Sequence, residues 1–188
     1  MALDNWQQWE GRVMGGRYAL RKYLGGSDHS GVYLTDFGGA RAVAKLVSAD
    51  TPDAPAQLAR WEAACNFAHP NLLRVYETGR WHADDEQDMF FAVMECADEN
   101  LGEILSERAL TPAEVREMLV PALTALEYLH GRNIVHGCLK PSNVMATGPQ
   151  LKLAIDGVRR SGTRLTSFEQ EDWRAVPEVF KRQCVVPQ

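Results

Sequence analysis

The spacing of the apolar residues changes half-way along the chain, and that change limits the fold more than any other feature. Up to about residue 95 the sequence is a succession of short apolar runs broken by glycines; beyond residue 111 helical spacing takes over. Arg17-Tyr18-Ala19-Leu20 and Val32-Tyr33-Leu34 read as short strands, Gly38-Gly39 as a hairpin turn, and Arg41 to Val47 as a third strand. Leu72 to Tyr76 and Met89 to Met94 are two more, with the polar Ala83-Asp84-Asp85-Glu86 as a turn between them. One helix interrupts this series, from about Pro55 to Phe67, where Leu58, Trp61, Cys65 and Ala68 recur at helical spacing.

The second half opens on a helix start. Thr111 offers a capping hydroxyl, Pro112 fits the first helical position and Glu114 completes a capping box. Behind it Val115, Met118, Leu119, Ala122, Leu126 and Leu129 line one face, and Gly131 is the expected stop. Pro121 lacks a backbone donor, so a kink or local loosening is expected there. Strands followed by helices predict an α+β fold in two lobes.

Composition excludes several function classes. The chain has 188 residues, 45% apolar and 24% charged, with a formal net charge of −5. A sequence-independent nucleic-acid binder would carry a basic stripe instead. The short basic runs Val158-Arg159-Arg160 and Phe180-Lys181-Arg182 read as solvated faces. Cys65, Cys96, Cys138 and Cys184 are far apart, without metal-site or disulfide-framework spacing, which points to reduced thiols in a cytosol. The first residues carry no basic region followed by an apolar stretch, and no run is long enough to span a bilayer. A cytoplasmic protein with no nucleic-acid partner and no membrane contact from this segment is expected. Trp6 and Trp9, ahead of the first strand, either pack on the following sheet or meet a partner.

Six runs then occur in a fixed order. They are Leu24-Gly25-Gly26-Ser27-Asp28-His29-Ser30-Gly31-Val32, Ala42-Val43-Ala44-Lys45, a helix ending at His69-Pro70-Asn71, Ala92-Val93-Met94-Glu95-Cys96-Ala97, His136-Gly137-Cys138-Leu139-Lys140-Pro141-Ser142-Asn143, and Leu151-Lys152-Leu153-Ala154-Ile155-Asp156-Gly157. Trp173-Arg174-Ala175-Val176-Pro177-Glu178 follows. Together they resemble a protein kinase, from about Gly16 to Glu178, in the manner of bacterial Ser/Thr kinases. The resemblance implies an N-terminal extension (residues 1–15), an antiparallel N-lobe with one helix (16–94), and a hinge with a partial helical C-lobe (95–188). The chain stops ten residues after Glu178. The rest of a kinase C-lobe is then absent, whether by trimming, a shortened gene product or a naturally minimal lobe.

Site residues follow from the same resemblance. Gly25 and Gly26 belong to a loop that closes over nucleotide phosphates, with Ser27 and Ser30 where its second and third glycines stand; serine resists close phosphate approach. Lys45 would contact the phosphates and pair with a glutamate on the helix. Counting back from His69 lands on Arg60, but helical rotation sets Glu62 beside Leu58 and Cys65 and turns Arg60 outward. Glu62 is therefore the expected partner, with a surface glutamate as the alternative. Val32, Val43 and Met145 would sandwich adenine, backbone groups of Glu95 and Ala97 would meet its edges, and Met94 would face the back of the pocket. Lys140 would touch phosphate, and Asn143 would ligate Mg²⁺.

Two departures fall on the chemistry. Cys138 stands where the family has the aspartate that accepts the substrate proton, and a thiol titrating near 8.5 is mostly a donor at neutrality. General-base positioning is worth roughly 10²–10⁴ in rate. Ile155 stands where the metal-binding aspartate belongs and offers no oxygen. Asp156 takes that role only if the backbone slips by one residue. Gly137 also replaces the arginine that grips a phosphorylated loop. A pseudokinase is expected, holding ATP weakly, with weakened Mg²⁺ binding, and serving another signalling protein or kinase in a regulatory or scaffolding role. The alternatives are a slow Ser/Thr kinase using Asp156, and an interaction module without nucleotide.

Overall fold

The computed structural model describes residues 6–84 and 87–160. The 173–178 run, the Phe180-Lys181-Arg182 cluster and Cys184 lie outside the described residues, as do Asp85 and Glu86 of the expected turn. The chain divides into two compact units. One comprises residues 1–67 and 74–96; the other comprises 68–73 and 97–188. The extension therefore belongs with the first unit, and the segment Ala68–Leu73 belongs with the second.

The first unit opens with a 3-10 turn over Trp6–Trp9 and a small ribbon of β1 (Val13–Met14) and β2 (Tyr18–Ala19). Next come β3 (Lys22–Ser27), β4 (Ser30–Phe37), β5 (Ala40–Ser48), α1 (Ala54–Ala64), β6 (Val75–Asp84) and β7 (Gln87–Glu95). The last five strands form one antiparallel sheet in the order β3-β4-β5-β7-β6. Burial alternates along β4 and most of β5, whereas β7 is buried on both faces from Met89 to Met94. Tyr33, Ala42, Ala44, Leu46, Met89, Phe91 and Val93 turn to one side. Trp6, Trp9, Met14, Tyr18 and Leu20 complete the core there. Both tryptophans are buried, Trp9 in an edge-on contact with Trp81 at 5.4 Å. The first of the two expectations for them, packing on the sheet, is what the fold shows.

Helix α1 differs from its expected orientation. Its fully buried residues are Ala54, Trp61 and Ala64, while Glu62 and Cys65 are exposed. Arg60 is half-buried, and its guanidinium Nη2 donates to Asp53 Oδ2 at 2.9 Å and Gln57 Oε1 at 2.7 Å. Sinking the large Trp61 ring rotates the helix by about one position from the face that Leu58 and Cys65 had suggested, because burying an indole outweighs burying a thiol. The sequence argument that put Glu62 inward and Arg60 outward is thereby corrected.

The second unit contains β8 (Glu99–Asn100), α2 (Leu101–Glu107), α3 (Pro112–His130), β9 (Ile134–Val135), β10 (Val144–Thr147), β11 (Gln150–Leu153) and β12 (Arg159–Arg160). Helix α3 starts at the expected capping box: Thr111 Oγ1 accepts from Glu114 N at 3.3 Å, and Glu114 Oε2 accepts from Thr111 N at 2.7 Å. The helix is continuous through Pro121, and Ala122, Ala125, Leu126 and Leu129 are its buried residues. Gly131 does cap it, but in right-handed conformation; the left-handed residue is Asn133, at φ 56°. Thus the chain reverses two residues later than a glycine stop would dictate. The segment 68–73 is fastened by hydrogen bonds to β11. Leu73 N donates to Leu153 O, Leu153 N to Asn71 O, and Asn71 Nδ2 to Leu151 O at 2.8 Å. Among the described residues no helix is long and apolar enough to cross a membrane.

Candidate functional site

In the first unit, strand register decides which side chains share a surface. Gly25 pairs with Val32, Val32 with Lys45, and Lys45 with Ala92, so one cross-sheet row carries all four. Val43 pairs with Met94 and follows the same parity as Lys45. Val32, Val43, Lys45 and Met94 therefore lie on one face, opposite the tryptophan-covered core. Gly25 has φ +137°, a backbone state that L side chains rarely adopt, at the bulge where β3 bends into the loop. Ser27 and Ser30 share a hydroxyl hydrogen bond of 2.8 Å across the hairpin tip. The two serines that replace glycine are thus tied to each other.

On the Lys45 face an open cavity of about 560 Å³ lies between that tip and α1. Lys45, Ser27, Ser30, Asp53 and Gln57 are among its lining residues. The helix presents Ala54 and Gln57 to this space, while Glu62 is exposed on α1 beyond it. Arg60, at the position that family spacing assigns to a glutamate, holds Asp53 and Gln57 at the cavity wall. Its Nε is buried without a hydrogen-bond partner among the described residues. Sequence spacing alone had pointed to position 60; the identity of the residue there had argued against it. At the end of β7, Glu95 N donates to Arg74 O at 2.8 Å, which fixes the strand as it leaves the sheet.

In the second unit, the loop from His136 to Asn143 is held from beneath. His136 is fully buried, and its Nε2 donates to Ala154 O at 2.7 Å, which fixes that nitrogen as protonated. Asn143 Nδ2 donates to Cys138 O at 2.7 Å, and Ala154 N to Asn143 O at 2.9 Å. Cys138 is a free, half-buried thiol. The turn after β11 packs directly on it, since a Cβ added to Gly157 would lie 2.5 Å from Cys138 Cβ. The structure therefore brings together Cys138, Asn143 and the Ile155-Asp156-Gly157 turn. Lys140 is exposed, and Met145 is half-buried on β10.

Within that turn, Ile155 is only 2% exposed, packed in the core with Leu153, Ala154 and Val158, while Asp156 is half-exposed. The side chain at the position that the resemblance assigns to the metal-binding aspartate is thus an apolar one turned inward, and it offers no oxygen to Mg²⁺. Gly137 has φ +67°, and a Cβ there would meet Arg159 Nε at 2.8 Å and Gly157 O at 2.9 Å. Arg159 Nη2 donates to the Gly137 carbonyl at 3.4 Å. A guanidinium thus stands over the loop after all, brought from β12 rather than from position 137. Nothing in the local sequence signalled it, because β12 reaches β9 only through tertiary pairing.

The sequence matches a family model, that of the protein kinase domain, over residues 57–184. The chain belongs to the protein kinase family. Among curated relatives of this kinase-family chain, a probable serine/threonine-protein kinase of Streptomyces coelicolor is 36% identical over 161 residues, covering 81% of this chain and 24% of that protein. The probable serine/threonine-protein kinase PknB of Corynebacterium glutamicum is 28% identical over 163 residues, covering 82% and 25%. A probable serine/threonine-protein kinase of Dictyostelium discoideum is 31% identical over 131 residues, covering 67% and 25%. The chain spans about a quarter of the length of these relatives.

Proposed function

We propose that this chain is a catalytically impaired kinase domain that holds ATP weakly and acts as a regulatory or scaffolding element in bacterial signalling. One observation carries the reading. The two positions that supply carboxylates in a working kinase hold a thiol, Cys138, and a buried isoleucine, Ile155, while the residues that shape the loop, His136 and Asn143, keep their hydrogen bonds. Phosphoryl transfer relies on positioning and electrostatic stabilisation, so the loss of both carboxylates removes the proton acceptor and a metal ligand together. The apolar face of Val32, Val43 and Met94 with Lys45 beside it supports residual nucleotide binding. On the first unit adenine would meet the backbone of Glu95; on the second, the family resemblance assigns Ala97 and Met145 to adenine and Lys140 to phosphate. Asn143 and Asp156 remain as oxygen donors for a cation, too few for a firm Mg²⁺ site. The partner proposed is another signalling protein or kinase, in a cytoplasmic setting.

A thermal-shift titration with ATP, with and without Mg²⁺, tests this. Ligand that binds only the folded state raises its melting temperature with concentration. We expect saturation in the millimolar range and no dependence on Mg²⁺. Phosphate incorporated into a generic substrate, and abolished by Lys45→Met, would overturn the reading in favour of a slow kinase that uses Asp156. Absence of any shift would leave an interaction module without nucleotide.

A further inference from the structure

The N-terminal 3-10 turn grips the glycine-rich hairpin at several points, all on the side of the sheet away from Lys45. The Trp6 ring lies on Gly31, where an added Cβ would come within 2.8 Å of Trp6 Cε3 and 2.6 Å of the Tyr33 hydroxyl. The buried Tyr33 hydroxyl donates to the Trp6 carbonyl at 2.5 Å. Trp6 Nε1 donates to the Asp28 carbonyl at the hairpin tip, at 3.4 Å. Four residues on, Glu10 Oε2 accepts from Tyr23 N at 2.8 Å, next to the bulge where β3 leaves regular pairing. The other end of the turn is anchored on β6 through Trp9 and Trp81, with the Arg12 guanidinium 4.6 Å from the centroid of the Trp9 ring.

These contacts reach both strands of the hairpin and its tip. Gly31 matters because any side chain there would lift the indole off β4. Its neighbour Val32 sits on the opposite face, in the row with Lys45. A glycine-rich hairpin has little side-chain packing of its own, so its position is set by whatever holds its backbone. Here β5 holds one edge of it, through Ser30 to Val32, and the segment Trp6–Glu10 holds the other strand, the tip and the face away from Lys45.

We infer that Trp6 and Glu10 are positioning residues for the glycine-rich hairpin, so that the segment preceding β1 sets how closely the loop approaches a phosphate-bearing ligand on the Lys45 face. The ligand half of this inference rests on the nucleotide reading above; the hairpin half does not. A displacement of Trp6–Glu10 would reach the loop through the Trp6 indole and carbonyl and the Glu10 carboxylate.

Hydrogen exchange on the full chain without ligand tests the hairpin half. Trp6→Ala should speed exchange of the amides in residues 25–33 by roughly tenfold, as expected for loss of local hydrogen bonds, and leave the second unit unchanged. Gly31→Ala, which displaces the indole from the other side, should give the same pattern. Glu10→Ala, which removes the acceptor of the Tyr23 amide, should confine the change to residues 23–26. Exchange that is unaltered in the hairpin, or raised uniformly over the whole sheet, would overturn the inference. ATP titration of the same variants reads the ligand half. Should the wild-type chain give no ATP response, the nucleotide reading fails while the exchange pattern still decides the role of the brace. A wild-type response left undiminished in Trp6→Ala would overturn the coupling to ligand.

Discussion

The sheet of the first unit and the His136–Asn143 loop of the second differ from the kinase-family motifs in different ways. On the sheet, Val32, Val43, Lys45 and Met94 share a face because strand register leaves them no other, and the changes fall at its rim, on Ser27, Ser30 and Arg60. In the loop, His136 and Asn143 match the family and carry structural hydrogen bonds, whereas the positions that the resemblance assigns to proton acceptor and metal ligand hold a thiol and a core isoleucine. The difference separates shape from reactivity. Removing a residue that holds backbone disrupts the fold, but replacing one that only performs chemistry leaves a neighbourhood that can close around the substitute, as Ile155 shows.

The largest expected effect tests whether the loop has adapted to its replacements. Gly137→Arg, which restores the family residue, puts a side chain at φ +67° against Arg159 and the Gly157 carbonyl. We expect a loss of about 2–3 kcal/mol in chemical denaturation, and no gain of phosphotransfer. Wild-type stability in this variant would show that the loop accepts reversion and would break the contrast with the sheet.

A smaller effect sharpens the assignment on α1. Arg60→Ala should cost about 1 kcal/mol, since Asp53 and Gln57 lose a shared donor, and should alter the cavity beside Lys45. Glu62→Ala, at an exposed position, should stay within about 0.5 kcal/mol. Equal costs, measured by urea midpoint, would contradict the rotation of the helix seen here.

The smallest effect concerns pH. Arg108, with the Thr111 backbone and hydroxyl, holds the Glu114 carboxyl down from its ordinary 4.5 to about 2. The folded carboxyl gives up its proton more readily than the unfolded one. The capping box therefore contributes fully above the ordinary value and loses its contribution as pH falls toward 2. Glu114→Gln should flatten that part of the stability profile of the second unit; an unchanged profile would remove the carboxylate from the account.

Features set by neighbours in sequence were readable, and those set by distant packing were not. The α3 start was legible because a capping box is local, and the sheet face because alternation and register follow from the strands themselves. The second capping box, at Asn100 and Glu103, has the same signature and opens α2, but it lacks a long apolar run behind it and was passed over. Periodicity alone does not place Glu62, because the size of Trp61 decides which face of α1 is buried. The kinase motifs located Cys138 and Ile155 at once. That the Ile155 side chain is buried, and that Arg159 covers Gly137, needed the tertiary structure.

The path of the chain has a practical consequence for dissecting the protein. The polypeptide passes between the two units three times, after residues 67, 73 and 96, because the six residues from Ala68 to Leu73 are an excursion stitched to β11. No single cut yields either half intact. A fragment ending at residue 96 carries six orphaned residues whose hydrogen-bond acceptors and donors lie elsewhere, and one beginning at 97 leaves the edge of β11 uncovered. Expression of either half alone calls for a short linker in place of the excursion in one, and for the hexapeptide grafted back in the other.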